Sequence, residues 1–185
     1  MTNATPGVSD LMTADQLAAV DIPGKTTELI RGQLIVRELP GTYHGHVAAR
    51  LLYLLGAHVY PARLGALYAQ DTGFKLRSNP DTVRAPDAAF IAADRVVHRW
   101  RGYAAIAPDL VAEIVSPGDR VGELLAKVAD WLDAGVRVVW VIDPERNEGQ
   151  IYRPNGSVAV VGVTEELTAE EVLTGLRLAL AELLT

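Results

Sequence analysis

The chain has 185 residues, of which 49% are apolar and 22% charged, and it carries no cysteine. At a soft prior of ~150 residues per domain, one compact domain is the expected count, and the lack of cysteine excludes a disulfide framework or a thiolate metal site while suiting a reducing, cytoplasmic setting. The net charge of −6 counts against a generic, charge-driven nucleic-acid binder but leaves room for a local basic cleft.

Residues 1–12 read as a loose tail ahead of a single domain over 13–185. The opening stretch "MTNATPGVSDLMTADQ" has neither a basic n-region nor an apolar h-region, so no secretory signal is expected. No apolar run reaches the ~18 residues of a membrane span. Thr13 and Gln16 stand in capping-box spacing and predict a short helix over 13–20. "ELIRGQLIVRE" (28–38) predicts a hairpin turning at Arg31-Gly32.

"HGHVAARLLYLLGAHVYPARLG" (44–65) predicts a helix. Val47, Leu51, Leu54, Leu55 and Val59 recur at helical spacing and Pro61 closes the run. Two short strands are expected in 66–77 around Asp71-Thr72-Gly73. "VRAPDAAFIA" (83–92) reads as one further strand with its proline near the start. A short helix or irregular segment follows over 93–107, then a strand over 109–115.

The strongest predicted helix spans 118–136, with Asp119 as its cap and Gly135 in the C′ position. "RVVWVIDP" (137–144) is a nearly continuous apolar strand, as expected of a central position in a sheet. A hairpin around Pro154-Asn155-Gly156 comes next, and 168–184 reads as an acidic, partly helical tail. The strand–helix–strand order in the middle of the chain predicts an α/β or α+β fold with a mixed sheet, helix 44–62 on one face and helix 119–134 beside the core strands.

Three ionisable residues do not fit this apolar plan. Strand residues alternate faces, so Glu113 shares a face with Val111 and Val115. An unpaired carboxylate there would cost several kcal/mol, roughly the effective penalty per buried ion. Asp87, directly after Pro86, sits in another apolar strand; if the two strands are neighbours, the carboxylates converge. A divalent cation relieves such repulsion, and Mg²⁺ needs only one or two carboxylates because it keeps several waters. The Ile114 carbonyl could add an oxygen.

Lys127 lies at the edge of the apolar stripe Val121, Leu124, Leu125, Val128 and Leu132, where its amine can point toward Glu113. Two oxygen ligands and an ammonium suit metal-assisted phosphodiester hydrolysis. Singly, Asp87 is an ordinary strand-end acid and Lys127 a snorkelling surface lysine; the ordered set carries the functional reading. His44 and His46 diverge by ~200° on a helix and would not chelate together. Arg95, Arg99 and Arg101, interleaved with Trp100 and Tyr103, suit phosphate contact and base stacking, and equally a solvated segment packed over Trp100. Trp131 and Trp140 read as core.

The stretches "TVRAPDAAFI", "APDLVAEIVSPGDR", "KVADWLDAGVRVVWVIDP" and "IYRPNG" together resemble the Uma-type family of putative restriction endonucleases, widespread in bacteria and placed within the PD-(D/E)xK nuclease superfamily. The resemblance covers roughly 13–184, with "ELIRGQLIV", "HG" and "DTGF" in the expected order. It implies a restriction-endonuclease-like core, a mixed central sheet flanked by helices. Pro86-Asp87 take the PD place and Glu113-Ile114-Val115 the (D/E)xK place, with Val115 where the lysine would stand. Family members commonly supply that lysine from the next helix, and Lys127 matches. The resemblance also implies Glu28 as an acid from the first block and His44 as a site-adjacent residue.

The expected protein is therefore a Mg²⁺- or Mn²⁺-dependent endonuclease that hydrolyses DNA phosphodiesters. Asp87, Glu113 and the Ile114 carbonyl would hold the metal, Lys127 would serve the attacking water, and Glu28 and His44 would assist. A homodimer is expected, since duplex DNA offers two strands. The alternative is a catalytically silent nuclease-fold module binding nucleic acid or a protein partner, which Val115 and the acidic balance favour.

Overall fold

A computed structural model describes residues 11–97 and 100–185. In chain order its elements begin with α1 (Ala14–Leu17), β1 (Lys25–Ile30), β2 (Gln33–Glu38), α2 (Thr42–Val59), β3 (Gly65–Ala69), β4 (Phe74–Arg77), β5 (Thr82–Arg84) and β6 (Ala88–Ala92). They continue with β7 (Leu110–Ile114), α3 (Val121–Asp133), β8 (Val138–Asp143), β9 (Glu148–Tyr152), β10 (Val158–Gly162), β11 (Glu166–Thr168), β12 (Arg177–Ala179) and α4 (Leu180–Leu183). The described residues fall into two compact units, one within Met1–Leu39, Gly73–Ala85 and Arg99–Ile106, the other within Pro40–Thr72, Pro86–His98 and Ala107–Thr185.

The first unit is a four-stranded antiparallel sheet of order β2-β1-β5-β4. Thr13 caps α1 with the predicted reciprocal bonds: its Oγ1 accepts from the Gln16 N–H, and Gln16 Oε1 accepts from the Thr13 N–H. The helix buries Ala14 and Leu17 against Leu29 and Val83. β1 and β2 turn through Arg31 and Gly32 at φ 49° and 79°, two left-handed residues as a type I′ hairpin demands.

The second unit holds a mixed six-stranded sheet of order β10-β9-β8-β7-β6-β3, with β7 and β8 parallel and every other pair antiparallel. β7 is buried along its whole length, as is β8 up to Ile142, which accounts for the apolar run of 137–144. One face carries Ala88, Phe90, Leu110, Ala112, Ile114 and Trp140, packed on Val47, Leu51, Leu55 and Val59 of α2. On the other face Glu113 of β7 meets Lys127 and Trp131 of α3. The result is the expected mixed α/β fold, a central sheet flanked by helices in the restriction-endonuclease-like arrangement. Among the described residues no helix is long and apolar enough to cross a membrane.

Three expectations about local structure are corrected. The run 83–92 is two strands in two different sheets, because Pro86 lacks a ladder N–H and disfavours continuation across it. Asp119 does not cap α3. Its Oδ2 accepts from the Ser116 N–H at 2.8 Å and closes a Ser116–Asp119 turn, and the N-cap is Arg120 with no side-chain bond. The tail 168–184 is helical only at α4; β11 and β12 pair as strands, since Leu176, Leu178 and Leu180 are buried at a spacing of two.

Gly65, on the edge strand β3, meets its partner at close range. A Cβ there would lie 2.0 Å from the Ile91 carbonyl oxygen and 2.8 Å from Phe90 Cε2. The clash is with backbone, which cannot rotate away. Gly65→Ala is expected to destabilise the protein by about 1–3 kcal/mol, the usual cost of overpacking, read as a lower midpoint in urea denaturation.

Candidate active site

Glu113 lies in β7 at 4% exposure. Its burial is sustained by two donors, one for each oxygen. Lys127 Nζ donates to Oε2 at 2.8 Å and the Trp131 indole Nε1–H donates to Oε1 at 2.7 Å. Lys127 and Trp131 stand four residues apart in α3, hence on one face of the helix. Lys127 is thus in direct contact with the strand glutamate, while Val115 donates its N–H to the Ile142 carbonyl and continues the ladder.

Asp87 enters the sheet one residue before β6. Its N–H donates to the Ala112 carbonyl at 3.1 Å and its Oδ2 accepts from the Ile114 N–H at 2.6 Å. It therefore brackets Glu113 on both sides along β7. The β6–β7 register, Ala88 opposite Ala112, extends to Asp87 opposite Glu113; the Asp87 side chain meets the Ile114 N–H and His44 of α2, while that of Glu113 meets Lys127 and Trp131 of α3. Part of the ordinary reading also holds, since one Asp87 oxygen ties off the end of the ladder. Its other oxygen, Oδ1, has no hydrogen bond among the described residues.

His44, in the first turn of α2, places Nε2 3.2 Å from Asp87 Oδ2 with its side chain only 9% exposed. Its buried Nδ1 has no partner among the described residues. Burial alone would lower the imidazolium pKa, but the Asp87 carboxylate, the Ile114 backbone and Asp119 outweigh it and raise the pKa above its usual value. His46 points elsewhere, stacking on Tyr43 and lying 3.3 Å from the Thr185 carbonyl, which agrees with the divergence expected of residues i and i+2.

The raised His44 value has a consequence for pH. Stability from the His44–Asp87 pair is fully present below the unfolded value of about 6.5 and is lost as pH rises through the folded value. In metal-free protein an NMR titration is expected to place the His44 midpoint above that of a free histidine. Asp87→Asn removes the main opposing charge and should bring it below.

Glu28 belongs to the first unit, where it is 4% exposed. Its Oε2 accepts from Arg84 at 3.0 Å and its Oε1 from the Ala85 N–H at 3.0 Å. Arg95 donates to Asp109 Oδ1 at 2.6 Å and to the Ala107 carbonyl at 2.8 Å, a local lock on the start of β7. Arg101 is exposed, and Arg99 lies outside the described residues. Sequence reasoning missed Asp109 as the buried anchor of Arg95, and Trp131 as a partner of Glu113. The second had a signal, for a buried indole N–H needs an acceptor, and Trp131 stands one turn from Lys127.

The profile of the Uma2 family, described as "Putative restriction endonuclease", matches residues 14–181. The chain belongs to the Uma2 family. A solved structure from Anabaena variabilis ATCC 29413, described as "a putative nuclease belonging to DUF820", is similar at a TM-score of 0.80 and 21% identity, covering 94% of this chain and 97% of that one. At that identity the likeness speaks for the fold. No match was found among curated proteins.

In this Uma2 chain the described residues hold no group of three or more His, Cys, Asp or Glu side chains placed to grip a metal. The acids that could serve a cation here are Asp87 and Glu113. Carboxylates on adjacent strands, with Asp87 Oδ1 unbonded among the described residues, are the donor type a hard cation such as Mg²⁺ takes, since it binds through one or two carboxylates and keeps its remaining waters.

Proposed function

We propose that this Uma2 protein is a divalent-cation-dependent nuclease that hydrolyses DNA phosphodiester bonds, with Asp87 and Glu113 as the carboxylates that hold Mg²⁺ or Mn²⁺. The observation that supports this reading is the Lys127–Glu113 contact at β7, beside Asp87, whose N–H and Oδ2 bond to the β7 backbone on either side of Glu113. When bound, the cation would polarise the phosphoryl oxygen and lower the pKa of a bound water. The chain's own residues do the rest. Asp87 offers Oδ1 while Ile114 and His44 fix Oδ2. The Lys127 ammonium, held at Glu113, orients the attacking water and offsets negative charge that develops as the leaving oxygen departs. A homodimer would bring two such sites to the two strands of a duplex, with exposed arginines such as Arg101 as phosphate contacts.

A second reading has its own observation. Both Glu113 oxygens are satisfied by Lys127 and Trp131 without a cation, as a silent nucleic-acid- or protein-binding module would have them. The two separate in one assay, cleavage of plasmid and single-stranded DNA with Mg²⁺, Mn²⁺ or a chelator, beside Glu113→Gln. Cation-dependent cleavage that Glu113→Gln abolishes supports the nuclease. Equal cleavage by both proteins removes the assigned site, and no cleavage together with no cation binding by calorimetry supports the module.

A further inference from the structure

We infer that Trp131 is a positioning residue for Glu113, its indole N–H fixing Oε1 so that Oε2 is the oxygen presented to Lys127. The inference rests on the reading of Glu113 as a site carboxylate. Trp131 is fully buried, and a phenylalanine could supply similar apolar contact. What an indole adds is the Nε1–H, and here it is aimed at a carboxylate at 2.7 Å. Trp140 makes the contrast. It is equally buried on the opposite face of the sheet, and its Nε1–H goes to the Thr168 carbonyl at 3.1 Å, an ordinary backbone acceptor.

The final torsion of a glutamate is broad and roughly two-fold, so one donor alone leaves its plane free to rotate. Two donors from successive turns of one helix remove that freedom and assign each oxygen a role. Both bonds are charge-assisted, the stronger class of hydrogen bond. Without Trp131 the carboxylate can turn, and the Lys127 ammonium loses its defined place.

The test uses the full chain with ¹⁵N-labelled tryptophan and lysine, the Trp131 indole signal being assigned through Trp100→Phe and Trp140→Phe. The Trp131 N–H resonance should lie downfield, exchange slowly, shift in Glu113→Gln and stay in place in Asp87→Asn. In Trp131→Phe the Lys127 ammonium resonance should shift and broaden. Where the wild-type protein cleaves DNA, Trp131→Phe should lower kcat about 10-fold, as loss of an outer-shell partner does, with KM unchanged.

An indole resonance indifferent to Glu113→Gln overturns the inference, as does a Lys127 signal or a kcat unchanged in Trp131→Phe. A wild-type protein that does not cleave DNA counts against the nuclease, while the two NMR measurements still decide the clamp. Should Trp131→Phe fail to fold, the response of the native indole to Glu113→Gln decides it alone.

Discussion

Lys127→Met is expected to lower DNA cleavage by about 10²–10³-fold, the scale of losing one donor aimed at developing charge, and to destabilise the protein by about 3–5 kcal/mol. The two effects have different origins. On the proposed nuclease reading, the activity loss would follow from removing the ammonium that orients the attacking water. The stability loss follows from leaving the Glu113 carboxylate, 4% exposed, without its ammonium counter-charge and with little water to replace it, the Trp131 bond remaining.

A second substitution separates them. In Glu113→Gln/Lys127→Met the buried charge is gone, and the glutamine oxygen can still accept from the Trp131 indole. A buried ion pair replaced on both sides is often close to neutral, so the double variant should recover most of the denaturation midpoint lost by Lys127→Met. Cleavage should stay absent. A double variant no more stable than Lys127→Met would mean that the 2.8 Å contact does not carry the stability assigned to it.

This pair also shows what could be read before the structure. Glu113 was conspicuous because a carboxylate between valines contradicts its neighbours, and Lys127 because it stands at the edge of an apolar stripe. Local signals of that kind extended to the capping box at Thr13 and the Arg31-Gly32 turn, each complete within a few residues. What was not legible depends on pairing. Asp87 lies opposite Glu113 only because β6 runs antiparallel to β7, and no residue near either acid encodes that partner. The run 83–92 looks continuous in composition, and only its two sheets reveal Pro86 as a boundary. The leucines of 173–183 satisfy helical and strand spacing alike, so period could not decide between them. The sequence reads Trp131 as core and it is fully buried, but the direction of its N–H is a tertiary fact.

Glu28 raises the remaining question about the acids, and its pairing within the first unit makes a sharp expectation. Arg84 is 2% exposed and Glu28 4%. Glu28 Oε2 takes the guanidinium at 3.0 Å, Arg37 Nε approaches the same oxygen at 3.6 Å, and Oε1 takes the Ala85 N–H. Truncation leaves a buried guanidinium without this carboxylate and a backbone donor without its acceptor. Glu28→Ala is therefore expected to destabilise by about 3–5 kcal/mol. Hydrogen exchange should speed up first in β1 and β5, the strands that carry the pair, before it does in β7 and β8. Glu28→Gln keeps an oxygen for Ala85 and should lose less. Adding Arg84→Met to Glu28→Ala should restore much of the stability, because loss of the buried carboxylate that faces the guanidinium at 3.0 Å is the main cost. If that double variant regains stability yet cleaves no DNA, Glu28 contributes to the chemistry itself. If it regains both, the acid of the first sequence block is an architectural partner of Arg84, and the catalytic assignment contracts to Asp87, Glu113 and Lys127.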